Sequence, residues 1–264
     1  MFPAPNPLRV KLLAGEPIAG IYIQTNSPDC VELAAAAGLD YVILDEEHGS
    51  FGMDAVVHMI RAAEASGIVP IVRVPQVCAT AVRRAVEAGA LGVYVPDVRS
   101  AAQARAMVAA AKFGAPAAGQ RRGACPTVRS ARGRGAAQWE DYARWCDENL
   151  MVALLIESGE GLAALDQILA VPGIDTIVLG RFDLVQEMAL EGGRYGPAMN
   201  ALFDDFARKA DAAGVPYVAR WNTGAADSAR QCAQALDRGA RIFNVGSDRE
   251  LMLRAFRGAL ASLR

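Results

Sequence analysis

The chain has 264 residues, 53% of them hydrophobic and 21% charged, with a formal net charge of -2. That length is ordinary for one α/β barrel, which takes about 250 residues, and the apolar content can fill its core. The weak net charge gives no electrostatic reason to expect nucleic acid or an anionic membrane as partner, and no apolar run reaches the ~18 residues of a membrane span.

In chain order, β-branched or apolar runs predict strands over 18–24, 41–46, 69–74, 92–96, 152–157, 176–180, 216–220 and 241–246. Alanine-rich segments of helical composition lie between most of them. Strands alternating with helices pair in parallel through crossovers. Runs without polar alternation, such as YVIL and TIVL, suit strands buried on both faces. Four stretches share one form: AAAAGLDYVILD (34–45), AVEAGALGVYVP (85–96), LAVPGIDTIVLG (169–180) and ALDRGARIFNVG (235–246). Each ends a helix, turns on a glycine and enters a strand. Gly38, Gly89, Gly173 and Gly239 can supply the left-handed residue that stops a helix. Repetition of this unit favours one closed (β/α)8 TIM barrel over residues 1–264, with an open doubly wound sheet as the alternative. No GxGxxG follows the first strand and no GxxxxGK[ST] occurs, so neither dinucleotide nor P-loop chemistry is signalled.

The N-terminal MFPAPNPLRVKLLAGEP lacks the basic stretch and long apolar run of a secretory signal. Five scattered cysteines, with no CxxC pair, argue against a disulfide framework and a structural zinc site. A reducing, cytoplasmic setting is expected. The segment between Lys112 and Leu150 carries Arg121, Arg122, Arg129, Arg132 and Arg134. It reads either as a solvated loop or as an active-site loop meeting an anionic substrate.

In a parallel barrel the active site lies at the carboxyl ends of the strands. The polar residues there are Asp45, Glu46, Glu47 and His48, then Arg73, Glu157, Arg181 and Asp183. Glu157 and Asp183 end neighbouring strands. Two close carboxylates need a cation or a shared proton, and their oxygens suit a hard divalent metal. The competing reading is a pair of ion-paired strand-end residues. His48, after three carboxylates, is a general base or acid near neutral pH, or a loop histidine bonded to backbone. Arg73 either stabilises a developing oxyanion or makes a structural salt bridge. His58, in a helical stretch, reads as structural.

Together these residues resemble the HpcH/HpaI aldolase family, class II metal-dependent pyruvate aldolases on a phosphoenolpyruvate/pyruvate-type barrel. The resemblance runs nearly the whole chain, through S-P-D near Ser27, D-x-E-H-G at 45–49, I-V-R-V-P around Arg73, V-P at 95–96, R-G at 122–123, I-E-S at 156–158 and G-x-x-D-L at 180–184. It implies a divalent metal (Mg²⁺, Mn²⁺ or Co²⁺) on Glu157 and Asp183. It implies catalytic His48 with Asp45 as its acidic partner, Arg73 on the enolate, and Glu87 as a second acid for the histidine. The substrate's carboxylate would meet the backbone around Gly180, Arg181 and Phe182, with Arg122 from the R-G motif also on the substrate. The implied reaction cleaves a 4-hydroxy-2-oxo acid to pyruvate and an aldehyde, in a homo-oligomer, hexamer or trimer. The apolar periodicity of ELMLRAFRGALASL suits such packing, or covering of the chain's own barrel bottom.

Two positions depart from the family pattern. GRFDLV stands where G-P-x-D-L-S is common, and Leu155 stands where glutamine is common. Both lie next to the expected site and bear on the substrate. The alternatives are therefore a carbon–carbon bond-forming synthase on the same scaffold, of the citrate-forming kind with an oxaloacetate or acyl-CoA donor, or a non-catalytic relative.

Overall fold

A computed structural model describes residues 4–114, 122–133, 136–261 and 263. Seven strands are formed: β1 (Ile18–Ile23), β2 (Tyr41–Asp45), β3 (Val69–Arg73), β4 (Gly92–Val95), β5 (Met151–Ile156), β6 (Thr176–Leu179) and β7 (Ile242–Ser247). All pair in parallel, in the order β6-β5-β4-β3-β2-β1-β7, as one curled sheet. Helix α1 (Pro7–Leu13) precedes β1. Helices α2 (Pro28–Ala36), α3 (Met53–Ser66), α4 (Ala79–Ala88) and α5 (Ala101–Ala111) follow the first four strands. Helix α6 (Trp139–Asn149) leads into β5, and α7 (Gly159–Ala163) and α8 (Leu165–Leu169) link β5 to β6. Then come α9 (Arg181–Glu187), α10 (Pro197–Ala213), α11 (Ser228–Asp237) and the terminal α12 (Asp248–Ala261). Gly38, Gly89, Gly173 and Gly239 all have positive φ, so the repeated helix stops form as expected.

The eighth expected strand, 216–220, is not formed as a strand. It makes two single bridges, Tyr217 to Ile177 of β6 and Val218 to Ile242 of β7. Its run is short: Pro216 has no amide hydrogen to give a ladder, and the polar Arg220 and Asn222 follow almost at once.

Alternate residues of a strand face opposite sides of the sheet. Val42, Leu44, Val72, Val93, Leu154 and Ile156 point under the helices. The other set, among them Tyr41, Ile43, Val69, Ile71, Tyr94, Ala153 and Leu155, packs inside the curl with Leu8 of α1. Tyr41 fits there because Gly20 lies opposite it in register; a Cβ at Gly20 would stand 2.3 Å from the ring. Two residues further along, the same inward series arrives at Asp45, Arg73 and Glu157. Apolar layers thus give way to a charged layer at the carboxyl ends of the strands.

Two features correct the sequence-based expectations. The segment before β5 contains α6, and its described arginines grip the helices. Arg129 bonds Glu64 and the carbonyl of Ala88, and Arg132 reaches Glu64 at 3.4 Å. Arg121 and Arg134 lie outside the described residues. Helix α12 does not cover the bottom of the sheet, because β7 delivers it at the carboxyl end. Its Asp248 is 5% exposed and accepts from the amides of Gln24 and Thr25, both at 3.0 Å, and from the Thr25 hydroxyl at 2.5 Å. Beyond Asp248, α12 leaves Leu253, Phe256 and Leu260 exposed. Among the described residues, no helix is long and apolar enough to cross a membrane.

Candidate active site

Asp45 and Arg73 face each other in register on β2 and β3. The guanidinium binds the carboxylate through two atoms, Nε to Oδ1 at 2.8 Å and Nη2 to Oδ2 at 2.5 Å. Asp45 is fully buried and also accepts from the Gln24 side chain at 2.9 Å and the His48 amide at 3.1 Å. Burial works to raise the Asp45 carboxyl, but the Arg73 bonds outweigh it and leave the group below its ordinary value. Arg73 lies over the Tyr22 ring at 4.9 Å and reaches Glu47 Oε2 at 3.0 Å.

Glu157, the residue after β5, is 8% exposed. Burial first, then the Glu47 and Asp183 carboxylates, push its carboxyl up to about 7. Burial likewise raises Glu47, to about 6, against the pull of Arg73. Among the described residues, one hydrogen bond supports the Glu157 anion: the Asp97 amide donates to Oε1 at 2.8 Å. Asp97 has φ of +47°, a left-handed conformation that Asp tolerates better than most residues. Gly180 makes room for the carboxylate, since a Cβ there would stand 2.3 Å from Glu157 Cβ and 2.5 Å from Oε2.

These groups open on a cavity of about 330 Å³ at the carboxyl ends of the strands. Of the residues expected from sequence, His48, Arg73, Glu157, Gly180, Arg181, Phe182 and Asp183 line it. The structure places three of the expected residues otherwise than the resemblance implies. The Asp45 oxygens are bound by Arg73, and the acid beside the His48 imidazole is Glu47, at 3.8 Å from Nε2. Glu87 stands at the end of α4, where the chain turns into the opposite end of β4, and it does not join the cavity. Arg122 is fixed elsewhere: it donates to the Ala111 carbonyl and the Tyr142 hydroxyl and stacks on Phe113. His58 is an exposed residue of α3. Sequence reasoning passed over Tyr22 and Gln24, although the alternation I-Y-I-Q in β1 places both on one face. It also passed over Trp221 and Asn222 of a loop, Asn244 of β7 and Glu250 of α12.

Among the described residues, no three His, Cys, Asp or Glu side chains are gathered to hold a cation by themselves. Two carboxylates on one cavity wall, one crowded by its neighbours' charge, have the chemistry to serve an open site. Hard divalent ions accept that set and complete it with water and substrate oxygens.

The profile of the HpcH/HpaI aldolase/citrate lyase family matches residues 19–255. A hydroxypyruvate/pyruvate aldolase of Pseudomonas aeruginosa is 30% identical over 96% of this chain and 90% of its own. Among solved structures, an HpcH/HpaI aldolase from Desulfitobacterium hafniense superposes with a TM-score of 0.84 at 28% identity, covering 98% of this chain and 96% of that one. The citrate synthase SbnG does so with a TM-score of 0.82 at 29% identity, covering 97% and 96%. With that profile match over most of its length, the chain belongs to the HpcH/HpaI aldolase/citrate lyase family, and it is a lyase.

Proposed function

We propose that this lyase cleaves a 4-hydroxy-2-oxo acid to pyruvate and an aldehyde, with a divalent cation (Mg²⁺, Mn²⁺ or Co²⁺) held by Glu157 and Asp183. The observation that carries the reading is the Glu157 carboxyl. It is buried against Gly180, raised to about 7, and crowded by two further carboxylates that a cation would relieve. When bound there, the cation supplies Lewis-acid polarisation of the keto group. The chain's own residues do the rest. His48, on the cavity wall and half in solvent, takes the proton of the 4-hydroxyl. The C3–C4 bond breaks, its electrons pass towards the C2 keto oxygen, the aldehyde leaves, and C3 then takes a proton, returned by His48 through solvent, to give pyruvate. Arg73 opposes the negative charge that develops on that oxygen, held in place by Asp45 so that no reorganisation is needed. The backbone of 180–183 borders the space for the substrate carboxylate.

Methyl-proton exchange of pyruvate in D₂O tests this without knowledge of the aldehyde. Metal-stripped protein is expected to exchange only after Mg²⁺, Mn²⁺ or Co²⁺ is restored. Glu157→Ala and Asp183→Ala are expected to fall by at least about 10³-fold. Absence of exchange in protein that binds metal at these residues sinks the pyruvate reading. It would favour the citrate-forming alternative, which the likeness to the citrate synthase supports.

The two bridges at Tyr217 and Val218 support reading the sheet as a closed eight-stranded barrel. The exposed apolar face of α12 supports a homo-oligomer, a hexamer or trimer, in which copies of the chain cover Phe256 and its neighbours. Phe256→Asp is expected to shift the mass by sedimentation to that of the monomer; an unchanged mass removes α12 from the interface.

A further inference from the structure

The Arg181 side chain has no part in the proposed reaction. It opens α9, lines the cavity beside Asp183, and stacks its guanidinium over Tyr195 at 4.9 Å. Its Nη1 is buried and has no hydrogen-bond partner. Among the described residues, no carboxylate lies within ion-pair distance of it. Its charged neighbours make matters worse. Arg194 stacks on the same group of rings, 5.0 Å from Tyr195 and 4.4 Å from Phe182, and among the described residues it too has no carboxylate within ion-pair distance. Arg220, stacked on Phe203, donates to the Asn200 carbonyl at 3.2 Å and, among the described residues, has the exposed Asp204 at 3.5 Å as its one acidic partner. A guanidinium taken out of water without an anion is costly, and two like charges around one tyrosine add to that cost. The part-buried guanidinium, with one nitrogen unpaired, has the chemistry to receive an anion. Arg73 and Arg181 line that cavity from different parts of the sheet. Arg73 ends β3 and Arg181 follows β6, three strand spacings away, or about 14 Å on a flat sheet and less on a curled one.

We infer that Arg181 determines acceptor specificity: it receives an oxyanion at the end of the aldehyde remote from the reacting carbonyl. The inference rests on the aldolase reading for its reaction, though not for its anion site. A planar fork suits a carboxylate, which it can bind through two parallel hydrogen bonds. A neutral group of the same shape would leave the buried nitrogen unpaired, so discrimination is expected to be strong.

The test compares 4-oxobutanoate with its neutral isostere 4-oxobutanamide as acceptors for pyruvate, in the parent, R181Q and R181K. The parent is expected to prefer the anion by about 10- to 100-fold in kcat/KM, the range of a charge-assisted hydrogen bond. R181Q brings the ratio to within about threefold of unity, and R181K leaves it between. Calorimetry of metal-free protein with glutarate and glutaramate gives a second readout that needs no turnover, and the same ordering is expected. A parent that does not distinguish the two members of either pair overturns the inference, whatever the variants do. So does a preference that survives in R181Q, or an R181Q protein changed only in oligomeric mass. If the parent exchanges no pyruvate protons yet binds glutarate over glutaramate through Arg181, the aldolase reading fails and the anion site stands.

Discussion

Arg73→Met is expected to lose about 3–5 kcal/mol of stability and at least about 100-fold in turnover. The first figure follows from the partner left behind. Asp45 is fully buried and its carboxylate is bound through both oxygens by Arg73, itself 8% exposed. Removing one member of such a pair strands the other charge away from water, at about that cost. The second follows from the loss of a fixed positive charge where negative charge develops, which is worth about 10²–10³ in rate. The double variant Arg73→Met, Asp45→Asn separates the two. Without the stranded carboxylate it should regain most of the urea midpoint and none of the turnover. If turnover returned along with stability, Arg73 would be a structural residue only. Lysine at the same position would keep the charge but not the two-point contact, so only partial recovery is expected.

Without metal, the protein should become less stable as pH rises from about 4.5 to about 7, and Glu157→Gln should remove the larger part of that slope. The folded chain holds the Glu157 proton up to about 7, whereas an unfolded glutamate releases it near 4.5. Between those values the folded state binds more protons, so stability is full below the window and lost as pH rises through it. The whole window is worth about 3 kcal/mol. Glu47, raised to about 6, contributes in the same direction and leaves a residual slope in the variant. Melting temperatures in chelator at pH 5 and pH 8 check this. At pH 8 the glutamine variant should be the more stable protein, and Mg²⁺ should raise the parent alone, since a ligand stabilises only the state that binds it. Equal slopes in parent and variant would remove Glu157 as the crowded carboxylate.

Much of the architecture is legible in the sequence because its causes are local. Strand periodicity and helix-stopping glycines recur within each αβ unit, and seven of the eight expected strands form. The exception, 216–220, fails where a proline and a polar run leave too little ladder. The residues of the cavity are legible to the extent that strand ends reveal them, which holds for His48, Arg73, Glu157 and Asp183. Their pairing is not. Asp45 and His48 are three residues apart in the chain, yet the side chain in register with Asp45 is Arg73, 28 residues on. Arg122 misleads for a related reason: its position is set by Phe113 and Tyr142, on separate elements. Side-chain direction across strands, rather than sequence distance, decides which groups meet.

The contact between Asp248 and the end of β1 ties the last helix of the chain to the first strand. Gln24, whose amide it holds, gives its side chain to Asp45, and Asp45 in turn orients Arg73. The C-terminal segment therefore works as a buckle. Trimming the chain back past residue 248 would slacken a charged pair on the two neighbouring strands, and a truncated enzyme could keep Arg73, His48, Glu157 and Asp183 and still be slow.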